Sequence, residues 1–184
     1  MSYSHYTSYF NTLFQYNVFF PECVLFDFED GPGLHGWTLT GTAFNNQPTY
    51  GDNPLQRKHA SSNLKGDWYI GTYENRPSPS HPPNSQGNSP MGTATSPPFV
   101  LRGRKIRFLM AGGAKGDLER LDLLIDGNVV ARETNKNKGG AMTQREFDVS
   151  ALRGQVAQVR IVDNSSGGWG MIIVDHIEDS YCTD

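Results

Sequence analysis

The sequence predicts an all-β sandwich, and three observations carry that prediction. The composition is turn-rich, with 20 Gly and 11 Pro among 184 residues. Short strand-like runs recur between turn residues, and no stretch holds an apolar repeat at helical spacing. Two cysteines, Cys23 and Cys182, stand just outside the first and the last of these runs. A hydrophobic fraction of 36% and a charged fraction of 19% suit one buried core, and the length suits one domain. The expected division is a sandwich over residues 23–184 preceded by an aromatic-rich arm or extra strand over residues 1–22.

The candidate strands, in order, are 24–28, 37–44, 68–73, 92–96 with 99–101, 106–111, 121–125, 129–133, 143–149, 158–162 and 171–177. The sharpest local signal is Leu123-Leu124-Ile125-Asp126-Gly127-Asn128-Val129-Val130. Asp-Gly or Gly-Asn supplies the positive φ angles of a tight hairpin between two apolar strands. Beyond Phe147-Asp148-Val149, the run Ser150-Ala151-Leu152-Arg153-Gly154 reads as one capped turn, with Ser150 as the cap and Gly154 as the stop. Trp68 to Tyr73 should place Tyr69 and Tyr73 on one face and Trp68 and Ile70 on the other. Residues 74–90 are too proline-rich for sheet, and loops of that length are generally functional or disordered.

The cysteines leave two readings. If the first and last strands lie side by side, Cys23 and Cys182 come within bridging distance, which implies an oxidising compartment. Otherwise they are two separate thiols. Residues 1–22 carry Tyr3, Tyr6, Tyr9, Phe10, Phe14, Tyr16, Phe19 and Phe20 with almost no charge. They lack the basic start and small-residue cleavage site of a secretory signal.

Several ordered motifs carry a family resemblance. Asp27-Phe28-Glu29-Asp30-Gly31, Gly36-Trp37, Gly41-Thr42-Ala43-Phe44 and Gln47-Pro48 come first. Thr93-Ala94-Thr95-Ser96-Pro97-Pro98-Phe99, Ile106 to Gly113 and Leu123 to Gly127 follow. Phe147 to Ser150 and Gly168-Trp169-Gly170-Met171-Ile172-Ile173-Val174-Asp175-His176-Ile177 close the set. Together, over roughly residues 25–178, they resemble the galactose-binding-domain-like β-sandwich modules found beside levanase- and fructosidase-type glycoside hydrolases and in multidomain extracellular proteins. The resemblance implies a jelly-roll β-sandwich with adjacent terminal strands, in agreement with the cysteine bracketing. It also implies a noncatalytic, lectin-like role toward a glycan or glycoprotein, although some modules of this fold serve as spacers or protein contacts.

Sugar recognition calls for ring faces and planar polar groups on loops. Tyr69, Tyr73, Glu74, Arg76, His81, Asn84 and Gln86, in and around the proline-rich loop, are the candidate ligand residues. Trp169, in a glycine-framed turn, is either a ligand platform or a structural plug, and Trp37 is expected to be a plug. Acidic residues gather at the two terminal strands: Asp27, Glu29 and Asp30 at the first, Asp175, Glu178 and Asp179 at the last. Asp27, Glu29 and Asp175 are the candidate ligands of a structural Ca²⁺, which takes six to eight oxygens; the alternative is a set of exposed strand-end charges.

A net charge of −3 argues against nucleic acid. No run is long and apolar enough for a membrane span. No nucleophile elbow, zinc motif or phosphate loop occurs, and the terminal carboxylates are not expected to act as a glycosidase pair. An enzyme is therefore not expected. The rival to glycan binding is an extracellular protein-interaction or self-assembly module in which residues 1–22 join copies into a homo-oligomer.

Overall fold

The computed structural model describes residues 23–183 as two packed antiparallel sheets. The first sheet runs β10 (Gly139–Asp148), β7 (Lys105–Gly112), β12 (Ile172–Asp179), β4 (Trp68–Gly71), β3 (Thr49–Tyr50), with β1 (Val24–Phe26) also paired to β12. The second runs β2 (Thr38–Gly41), β5 (Gly92–Thr95), β11 (Val156–Asp163), β8 (Glu119–Ile125), β9 (Asn128–Thr134), with β6 (Phe99–Val100) on β11. The first and last strands are neighbours, Val24 opposite Glu178 and Phe26 opposite Ile177. Cys23 and Cys182 are bridged, their Cα atoms 6.0 Å apart. The readings placed on residues 1–22 lie outside the described residues.

Alternation along the strands builds the interior. Ile106, Phe108 and Met110 of β7, Leu121 and Leu123 of β8, Val159 and Ile161 of β11 and Ile172 and Val174 of β12 all point into one buried cluster between the sheets. Trp68 and Ile70 join it, while Tyr69 points the other way into a second cluster with Ala111, Met142, Met171 and Ile173. The division of faces expected along β4 is therefore observed. Trp37 packs edge-on to Phe26, ring centroids 5.0 Å apart, as a plug at the mouth of the core. The β8–β9 hairpin turns through Asp126 (φ 51°) and Gly127 (φ 76°), the residue pair that favours a two-residue turn.

Several elements depart from expectation, among them β3, which lies where no strand is expected. β4 is buried on both faces because residues 51–66 are strapped across the outer face of the first sheet, held by Met142 N–H to Ser62 O (2.9 Å) and Lys65 N–H to Asp175 Oδ2 (2.7 Å). That strap contains a single helical turn, α1 (Pro54–Arg57), with proline at its start and Lys58 closing it in the left-handed conformation. The turn at 150–152 is capped by Asp148, whose carboxylate accepts from the Ser150 N–H and hydroxyl, so Ser150 is the capped residue rather than the cap. Finally, β12 carries a bulge at His176 (φ 47°). The extra residue returns Ile177 to the core and leaves Asp175 on the strapped outer face.

Candidate functional site

The strap is anchored by a buried polar network. Arg57 NH2 contacts Asp52 at 2.6 Å, and its NH1 donates to Glu74 and to the Tyr69 hydroxyl (2.7 Å). The Tyr69 hydroxyl in turn donates to Glu74 Oε2 at 2.6 Å, and Asn53 Nδ2 donates to the same oxygen at 2.7 Å. Burial raises the Glu74 carboxyl, opposed by the charge of Arg57 and by the Tyr69, Arg57 and Asn53 hydrogen bonds. Burial and the Glu74 charge push the Tyr69 phenol far up, so it stays a donor. A buried ion pair satisfied on this many sides fixes geometry more than it adds stability.

What this network fixes is one wall of a cleft. Arg57, Lys58, His59, Tyr73, Asn88, Gly168, Trp169 and Met171 line a cavity of about 340 Å³. The His59 ring lies against the Trp169 indole, centroids 4.2 Å apart, and the Lys138 ammonium sits 5.5 Å from the same ring. Trp169 is half-buried on the outer cluster and has a left-handed backbone (φ 65°) within the loop joining β11 to β12. It is thus a plug on one side and a cleft wall on the other. Tyr73, just beyond β4, packs on the same cluster.

The eight sequence-predicted ligand residues separate into three groups. Tyr73 and Trp169 meet in this cleft. Tyr69 and Glu74 are buried at 0% and 1% exposure and consumed by the network, so neither presents a free group to a ligand. Gln86 is likewise spent internally, donating to Ala43 O and Thr72 O while accepting from Asn46. Arg76 braces the proline-rich loop through His81 O (2.8 Å) and Pro79 O and lies over the Tyr50 ring. His81 and Asn84 line a separate cavity of about 460 Å³ with Asn75, Pro77, Pro82 and Pro83. The loop at 74–90 is held by Gln86 N–H to Tyr73 O and Asn75 N–H to Asn84 O. His59 and Lys138 escaped the sequence reading, because no local motif marks them and only the strap and the β9–β10 connection bring them to Trp169, while Asn88 lies in the proline-rich loop without being among its candidate ligands.

The terminal carboxylates are mostly dispersed. Asp179 accepts from the backbone N–H groups of Arg102, Gly103 and Tyr181, Glu178 contacts His176, and Asp27 accepts from the Glu29 N–H. Among the described residues no three His, Cys, Asp or Glu side chains gather as a metal cluster. Two carboxylates nevertheless remain coupled. Glu29 accepts from the N–H groups of Asp67 and Trp68, and Asp175 is fully buried with Oδ1 unpartnered. Burial lifts the Asp175 carboxyl to about 7; the Lys65 and His176 N–H groups oppose this and the Glu29 charge adds to it. Asp175 Oδ1 is thus a buried oxygen without a partner, with the Glu29 charge acting on the same carboxyl. Asp27, exposed and engaged locally, is not drawn into that pair.

No family model matches the chain. The Aspergillus rugulosus protein named "Putative glycosyl hydrolase ecdE" is 33% identical over 153 residues, which is 82% of this chain and 20% of that protein. The chain thus spans about a fifth of the length of this curated relative. Among solved structures, TmCBM61 in complex with beta-1,4-galactotriose is 13% identical, with 83% of this chain and 92% of that chain covered and a TM-score of 0.47. The K1 cleaved adhesin domain of Lys-gingipain from Porphyromonas gingivalis W83 is 16% identical (83% and 94% covered, TM-score 0.46). A family 35 carbohydrate binding module from an environmental isolate is 12% identical (83% and 89% covered, TM-score 0.40). These solved structures that the chain is similar to are carbohydrate-binding modules and an adhesin domain.

Proposed function

We propose that this domain is a noncatalytic carbohydrate-binding module that takes a glycan or glycoprotein sugar in the cleft between Tyr73, His59 and Trp169. The carrying observation is the cleft itself: aromatic rings and an amide, Asn88, around a cavity of sugar-ring size, on a wall held rigid by the Arg57–Glu74 pair. C–H faces of a sugar pack on such rings, and the amide and cationic rim suit hydroxyl groups. The lining contains no carboxylate, whereas glycoside hydrolysis calls for a facing acid pair.

In this reading Glu29 and Asp175 hold a structural Ca²⁺ that pins the strap end to β1 and β12, and the Cys23–Cys182 bridge suits an extracellular setting. The test is a glycan-array screen of the oxidised protein, run with calcium and with chelator. Selective binding supports the proposal, and loss in chelator adds the cation. A folded protein silent across a broad array defeats it and turns attention to protein partners and self-assembly.

A further inference from the structure

A pair of interior carboxylates lies at the opposite end of the sandwich from the exposed Glu29. Glu119, the first residue of β8, and Asp163, the last of β11, are direct cross-strand partners, exposed at 0% and 1%. Glu119 Oε2 accepts from the Lys115 N–H at 2.9 Å, but Oε1 is buried without a partner. Asp163 accepts from the Thr72 hydroxyl and the Ser165 N–H. Among the described residues no Lys, Arg or His forms a salt bridge with either carboxylate; the Lys115 ammonium goes instead to Ser165 Oγ at 2.7 Å. Like charges placed directly opposite repel, and an unpaired charge in the interior is costly. Burial, with the Glu119 charge adding to it, lifts the Asp163 carboxyl to about 6 against the Thr72 and Ser165 hydrogen bonds and the charge of Lys115.

The surrounding backbone brings more oxygen. A side chain at Gly113 would strike both the Trp169 carbonyl and the Glu119 carboxylate, so those two oxygens flank the same Cα. Only glycine allows that approach.

We propose that Glu119 and Asp163 form a divalent-cation site, of the oxygen-ligated class that Ca²⁺ fills, beneath the loop at 164–171 that carries Trp169. The orphaned Oε1 supplies a ligand without cost, and the cation relieves the repulsion between the pair. The site is separate from Glu29 and Asp175 and does not depend on glycan binding.

The test is calorimetric titration of the chelator-stripped, oxidised chain with calcium alone, comparing wild type with E119Q, D163N and D175N. E119Q and D163N should each lower the saturating calcium by one equivalent. D175N should keep that equivalent, and its thermal midpoint should still rise on adding calcium. Identical stoichiometry in wild type, E119Q and D163N overturns the proposal. Should both of those variants fail to fold, D175N decides: no calcium-dependent rise in its midpoint overturns the site.

Discussion

The His59 ring rests on the Trp169 indole with centroids 4.2 Å apart, joining the strap across the first sheet to the loop between β11 and β12. Two segments separated by more than a hundred residues therefore make one cleft, and the chemistry of that contact depends on how the strap is held.

Removing the indole should cost affinity and little stability, since Trp169 is only half-buried. Aromatic contacts contribute about 0.5–1.5 kcal/mol beyond area burial, so W169A should weaken glycan binding by about two- to tenfold. H81A, altered in the separate proline-loop cavity, should bind as wild type. Binding isotherms on an array-positive oligosaccharide read both.

Arg57 should matter to folding. Deleting one partner of a buried ion pair costs about 3–5 kcal/mol, so R57M should show a loss of that order in urea unfolding. The double variant R57M/E74Q should recover part of it, because the stranded carboxylate is gone. A loss below about 1 kcal/mol in R57M would show that the network does not anchor the strap.

The disulfide closes almost the whole domain, with a sequence separation of 159. In the chain-entropy model such a loop is worth about 5 kcal/mol. C23S/C182S should unfold at markedly lower denaturant than the oxidised protein and should match the wild type under reducing conditions.

Asp122 gives the pH dependence. Fully buried on the outer side of the second sheet, it is met by Arg120, Arg132 and Arg160. Burial alone would raise its carboxyl, but the hydrogen bonds from Arg160 and Arg132 and the charges of Arg120 and Arg132 outweigh it and hold the group low. A folded value below the unfolded one gives stability that is present above the ordinary carboxylate range and lost as pH falls through the folded value. The gap in melting temperature between wild type and D122N should thus be wide at neutral pH and narrow only once pH falls below the ordinary aspartate value of about 3.9.

Much of the fold could be read from the sequence because its signals are local. Asp126-Gly127 encodes its own turn, Tyr69 and Ile70 declare opposite faces by alternation, and Cys23 and Cys182 mark neighbouring termini. The site was less legible. Tyr69 and Glu74 look like exposed recognition groups until a strap carrying Arg57 covers them, and that strap has only an Asn-Pro start to announce it. Trp169 was visible as a glycine-framed aromatic, yet its partners His59 and Lys138 are defined only by long-range packing.

The most direct test of the cleft follows the indole N–H resonances of the three tryptophans by NMR during titration with array-positive oligosaccharides. Trp169 should shift and saturate with the ligand while Trp37 and Trp68, packed on the core, stay still. A saturating shift at Trp37 with Trp169 unmoved, or three unmoved indoles under demonstrated binding, would contradict the assignment of the glycan site.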